Sequence, residues 1–66
     1  MSVTVNGIPT EFEGSIADIV AHHHQDPAAR GIAVAVNDEV LVRGRWQTTV
    51  VMPGDRIEIV TAVQGG

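Results

Sequence analysis

The chain has 66 residues and contains no cysteine and no tyrosine, with one phenylalanine and one tryptophan. Without Cys there is no disulfide framework, no thiolate metal site and no Cys nucleophile. All 4 basic residues are arginine (Arg30, Arg43, Arg45, Arg56), so no lysine ammonium is present. An activated acyl group at the C-terminus would therefore meet no side-chain amine on its own chain. No apolar run approaches the roughly 20 residues of a membrane span. The N-terminus turns polar within a few residues, unlike a signal peptide. The expectation is a cytoplasmic protein with no membrane partner. The formal net charge of −4 repels phosphate backbones, which argues against nucleic acid as a partner. At this length residues 1–66 are expected to form one domain. A domain this small buries only about 60% of the surface its unfolded chain exposes, so its stability will be modest.

What is present reads as short elements with clear punctuation. Ser2 to Val5 and Ile8 to Glu13 flank Asn6-Gly7. Asn-Gly between two alternating runs signals a tight hairpin, because both turn residues must take φ > 0. A two-residue turn sets Val5 opposite Ile8, Val3 opposite Thr10 and Met1 opposite Phe12. Opposed residues share a face. That puts Met1, Val3, Val5, Ile8 and Phe12 on one side, with Thr4, Glu11 and Glu13 on the other. Pro9 lacks an N–H, so the second strand should be an edge. Gly14-Ser15 then opens a helix, with Ser15 as N-cap and Asp18 three residues on in the manner of a capping box. Ile16, Ile19, Val20 and His23 form the apolar stripe. Asp26-Pro27 should stop the helix, and Ala28 to Gly31 should return the chain.

Ile32 to Val36 reads as a strand alternating large residues with Ala33 and Ala35. Nearly all-apolar strands are usually central or covered on both faces. Asn37-Asp38 is a second hairpin turn, with Val40 to Val42 returning. Arg43 to Thr49 is ambiguous, with Trp46 as its packing anchor. Val50-Val51-Met52 is a short apolar run, and Pro53-Gly54-Asp55 is a turn. Arg56 to Val63 is the last strand, with Ile57, Ile59, Thr61 and Val63 on one face and Glu58, Val60 and Ala62 on the other. The order hairpin, helix, hairpin, strand gives an α+β class. A small antiparallel sheet of this kind buries one face under the single helix. Ile16, Ile19 and Val20 should pack on Val3, Val5, Ile57 and Ile59. The opposite face would carry Ala33, Ala35, Val60 and Ala62, small apolar residues that make it a candidate docking surface.

The most informative segment is Gln64-Gly65-Gly66. Terminal glycines add no packing and cost unfolded-state entropy. They do leave an unbranched tail with a carboxylate and no side chain to block close approach. Such a tail, with Gly65 and Gln64 leading to Gly66, can thread into a narrow enzyme channel. A carboxylate is a poor electrophile and must first be adenylated by ATP, with the developing phosphate charge stabilised by the activating enzyme. Sulfide or a persulfide can then convert it to a terminal thiocarboxylate. That chemistry needs no catalytic side chain from the carrier.

Val34-Ala35-Val36-Asn37, then Val40 with Arg43 and Trp46, then Gly54 through Gly66 resemble the ThiS family of sulfur carriers over essentially the whole chain. The closing run from Ile57 to Gly66 is the most specific part. The resemblance implies a ubiquitin-like β-grasp fold, a mixed sheet of about five strands with one helix on one face. In that fold the first and last strands lie adjacent and parallel in the middle. It implies that Gly66 is adenylated by a ThiF-type adenylyltransferase, with ATP used by that enzyme and no cofactor bound by the carrier. Sulfur would come from a cysteine desulfurase or a sulfur relay protein. The thiocarboxylate would serve the thiazole synthase ThiG in thiamine biosynthesis. The chain would then be a co-substrate and not itself an enzyme. Sulfur delivery to molybdopterin, cysteine or tRNA thiolation, a ubiquitin-like protein modifier, and a plain binding module with idle glycines are the rival readings.

Other candidates carry less. His22, His23 and His24 are consecutive, and successive helical residues point about 100° apart, so they cannot converge on one ion. No metal site is expected. Asp38-Glu39 and the Glu11/Glu13 pair read as solvated charges. Arg43 and Arg45 read as surface residues. Ser15 has no His and Asp in motif context, which leaves a hydrolase without support.

Overall fold

The computed structural model describes residues 2–23 and 31–61. Strand β1 (Ser2–Val5) turns into β2 (Ile8–Glu11), followed by helix α1 (Ile16–His23). Strands β3 (Ile32–Val36) and β4 (Glu39–Leu41) form a second hairpin, and a short 3-10 turn (Arg43–Arg45) leads on towards β5 (Arg56–Thr61). The sheet order is β2-β1-β5-β3-β4. Both hairpins and the β3–β5 pair are antiparallel, whereas β1 and β5 run parallel. The sheet is therefore mixed and not the antiparallel one that element order alone suggests. Its parallel pair joins strands near opposite ends of the chain, a partnership no local pattern encodes. The result is the ubiquitin-like β-grasp arrangement.

The turns form for the reasons their residues imply. Asn6 and Gly7 sit at φ 51° and 81°, and Asn37 and Asp38 at 51° and 72°. Positive φ at both central positions matches the right-handed twist of the flanking strands. Val5 pairs with Ile8 and Val3 with Thr10; the expected partner of Phe12, Met1, lies outside the described residues. Pro9 falls on β2, an edge strand, where its missing N–H breaks no ladder. Ile8 departs from expectation, being 64% exposed. Ile8 lies on the edge strand β2, away from the buried strand residues, which belong to β1, β3 and β5.

The helix start is a reciprocal cap. The Ser15 N–H donates to Asp18 Oδ2 at 3.0 Å, and the Asp18 N–H donates to Ser15 Oγ at 3.1 Å. The backbone and then the side-chain hydrogen bond from Ser15 hold the Asp18 carboxyl below the ordinary carboxylate range. Ile16, Ile19 and Val20 are buried. His23 is exposed, because the stripe runs past its last core contact at Val20. The expected stop at Asp26-Pro27 lies outside the described residues.

The segment left ambiguous by its sequence closes the helix end. Thr49 and Trp46 carbonyls accept from the Ile16 and Ala17 N–H groups at 2.8 and 3.0 Å. These are among the donors that a helix start leaves without intrahelical partners. The Trp46 ring is buried, and its Nε1 donates to the Leu41 carbonyl at 3.0 Å. Val51 is fully buried, while Val50 and Met52 beside it are exposed. The core comprises Val3, Val5, Ile16, Ile19, Val20, Ile32, Val34, Trp46, Val51, Ile57 and Ile59, and no described polar side chain is buried. Strand β3 lies inside the sheet between β5 and β4, as its apolar run suggests, but it is covered on one face only, since Ala33 is exposed. Its returning partner runs Glu39–Leu41, one residue earlier than Val40 to Val42.

Candidate functional site

Strand β5 organises the site because it is central and leads to the terminal segment. Its inward residues Ile57 and Ile59 are buried at 1% and 7% exposure. Each such side chain stabilises the fold by about 1.5–3 kcal/mol. The outward residues Arg56, Glu58 and Val60 alternate with them. Gln64, Gly65 and Gly66, and Ala62 before them, lie outside the described residues.

The outward face brings together the described members of the expected docking set. Ala33 pairs with Val60, and Ala35 with Glu58 on one side and Val40 on the other. Val60 is 57% and Val40 78% exposed. Val40 thus extends the apolar strip beyond the expected residues; its register opposite Ala35 was the signal, legible once the hairpin turn is placed. Arg56, on the same face, pairs with Asp38 at 2.7 Å. Both partners are exposed, so this pair adds little stability. An open groove at one end of the face is lined by Thr4, Asn6, Gly7, Arg56, Ile57 and Glu58.

The remaining candidates stay apart. His22 and His23 are exposed, with the His22 ring 5.8 Å from Phe12. Among the described residues no group of three or more His, Cys, Asp or Glu could hold a metal ion. Glu11, Glu13, Asp38 and Glu39 are all exposed. The Arg43 guanidinium lies 4.7 Å over the Trp46 ring, and Arg45 is exposed. Ser15 is occupied as the helix cap.

Two residues carry more than their turns required. Asn37 Oδ1 accepts from the Arg56 N–H at 2.9 Å, and its Nδ2 donates to Asp55 Oδ1 at 3.0 Å. Asn6 reaches 53 positions along the chain to bond both backbone groups of Ile59. Asparagine at a positive-φ turn position was visible in the sequence; the strand its amide would reach was not.

The model of the ThiS family matches residues 3–66. The chain belongs to the ThiS family. A crystal structure of the thiamine biosynthesis protein ThiS of Geobacter metallireducens has a TM-score of 0.80 with it at 28% identity, covering 100% of both chains. The solution structure of a thiamine biosynthesis protein from the same organism has a TM-score of 0.78 at 30% identity, over 100% of this chain and 88% of that one. No curated protein sequence matches the chain significantly. The ThiS match runs to residue 66 and so spans Gly65 and Gly66. Among the described residues of this ThiS-family chain, no helix is long and apolar enough to cross a membrane.

Proposed function

We propose that this ThiS-family chain is a sulfur carrier that supplies the thiazole sulfur in thiamine biosynthesis, with Gly66 as the sulfur-bearing residue. The family match through residue 66 carries this reading. A Gly66 carboxylate oxygen attacks the α-phosphorus of ATP on a ThiF-type adenylyltransferase, and pyrophosphate leaves. Sulfide, or a persulfide from a cysteine desulfurase or relay protein, then attacks the acyl carbon and AMP departs. If a persulfide is the donor, a thiol must reduce the resulting acyl disulfide. The thiocarboxylate is a soft anionic nucleophile that the thiazole synthase ThiG can accept without free sulfide. Gly65 and Gln64 thread the tail, and the face formed by Ala33, Ala35, Val60 and Ala62 docks the partner. The carrier acts as a co-substrate. Its use of ATP through a partner is consistent with a cytoplasmic site of action.

Intact-mass measurement after incubation with ATP, a sulfur source and the activating enzyme tests the reading. The mass should rise by the difference between sulfur and oxygen, and the gain should sit on the C-terminal peptide. A chain that stays unchanged beside a competent partner, or a variant ending at Gln64 that still supports thiamine synthesis, refutes it.

A further inference from the structure

Among the described strands, β5 alone joins the two hairpins. On its β3 side it has five Cα pairs, from Ile32↔Thr61 to Val36↔Ile57. On its β1 side it has two, Thr4↔Arg56 and Val5↔Ile57. The Thr4 and Asn6 N–H groups donate to the Asp55 and Ile57 carbonyls at 3.0 and 2.9 Å. There the backbone of Asn6 swings to φ 51°, and β1 ends. The next rung of a parallel ladder would offer a carbonyl to the Ile59 N–H and an N–H to the Ile59 carbonyl. The Asn6 side chain supplies both. Its Oδ1 accepts from the Ile59 N–H at 2.8 Å, and its Nδ2 donates to the Ile59 carbonyl at 3.2 Å. A carboxamide presents the same acceptor and donor as a peptide unit, so the seam runs one rung past the end of its strand.

We propose that Asn6 is a positioning residue for the reaction at Gly66, its amide acting as an added β1 peptide that holds β5 at Ile59. This rests on the sulfur-carrier reading. Residues 60 to 66 follow Ile59, a reach of at most roughly 25 Å when extended. Holding the strand at its last described contact with β1 narrows the set of positions from which the tail enters a partner. Asn37 makes a comparable clamp at the opposite end of β5, beside Arg56, and so separates positioning from plain stability.

The test compares Asn6→Gly and Asn37→Gly with the wild-type chain. Glycine keeps positive φ accessible at both turns. In Asn6→Gly the Ile59 amide should exchange hydrogen at least about tenfold faster. The Val60 amide should keep its rate, because the backbone groups of Arg56, Glu58 and Val60 point to β3. The KM for the carrier in adenylation should rise about fivefold with kcat unchanged, the mark of lost binding-stage placement. Asn37→Gly should lower the melting temperature comparably and leave KM alone. Equal KM shifts in the two variants, an unchanged KM in Asn6→Gly, or unchanged exchange at Ile59 overturns the proposal. Should Asn6→Gly not fold, Asn6→Asp keeps the acceptor and loses the donor at neutral pH, and a wild-type KM in that variant refutes the role. Failure of the wild-type chain to be adenylated at all sinks the carrier reading instead, and Ile59 exchange then decides the clamp by itself.

Discussion

Among the glycines Gly7, Gly14, Gly44 and Gly54, Gly14 is where one added methyl should cost most. Its φ is +142°, a conformation that L side chains rarely adopt. A Cβ there would stand 2.9 Å from Asp18 Oδ2 and 3.3 Å from Phe12 Cε2. The first contact is with the carboxylate that accepts the Ser15 N–H, so relieving the clash pulls Asp18 out of the helix cap. Backbone strain of this kind costs about 1–3 kcal/mol, and the lost cap adds to it. A chain of 66 residues has total stability of roughly 3–10 kcal/mol at the usual 0.05–0.15 kcal/mol per residue. Each kcal/mol shifts the melting temperature of a domain this size by about 4–8 °C. Gly14→Ala should therefore lower it by roughly 5–20 °C. Trp46 is a suitable reporter, since it is the lone indole and its carbonyl accepts from the Ala17 N–H at the helix start. A double-mutant cycle with Asp18→Ala locates the cause. If the clash acts through the cap, the double variant loses less than the sum of the singles. A Gly14→Ala protein that melts with the wild type, or strict additivity in the cycle, refutes this account.

Removing the indole donor with Trp46→Phe should cost about 1–3 kcal/mol in urea denaturation, because the Leu41 carbonyl loses its partner. Ile57→Ala, at 1% exposure in the central strand, should cost about 2–5 kcal/mol and leave much of the chain unfolded at 37 °C. The Asp18 carboxyl titrates below its ordinary value in the folded chain. Its contribution should be fully present above the unfolded pKa of about 3.9 and should fade as pH falls through the lower folded value. The stability difference between wild type and Asp18→Asn should shrink through that acid window; a difference that persists below it contradicts the cap. Val60→Asp, at 57% exposure on the outward face, should change stability by no more than about 0.5 kcal/mol. The same variant should weaken capture by the adenylating partner, and unaltered partner affinity would remove Val60 from the docking face.

The local elements were legible in the sequence because their causes are local. Asn6-Gly7 and Asn37-Asp38 carry their own conformational preference, Ser15 and Asp18 lie within one turn of each other, and the alternation of β5 assigns its faces. The expected docking residues Ala33, Ala35 and Val60 meet on one face because a two-residue period leaves no other choice. The errors at Ile8 and His23 share a cause: periodicity names a face but not the extent of what covers it. The buried strand residues stop at β1 on that side of the sheet, and the last buried residue of the described stripe is Val20.

By itself, the sequence determined the turns, the helix cap, and the inward and outward sides of each strand. The parallel β1–β5 pair followed from the family resemblance and from no local pattern, and only tertiary structure decided that Trp46 and Thr49 carbonyls receive the helix N–H groups and that the Asn6 amide closes on Ile59. The physical reason is range. Turn and cap preferences arise between residues a few positions apart, whereas a hydrogen bond across 53 positions exists only after the core has brought its two ends together.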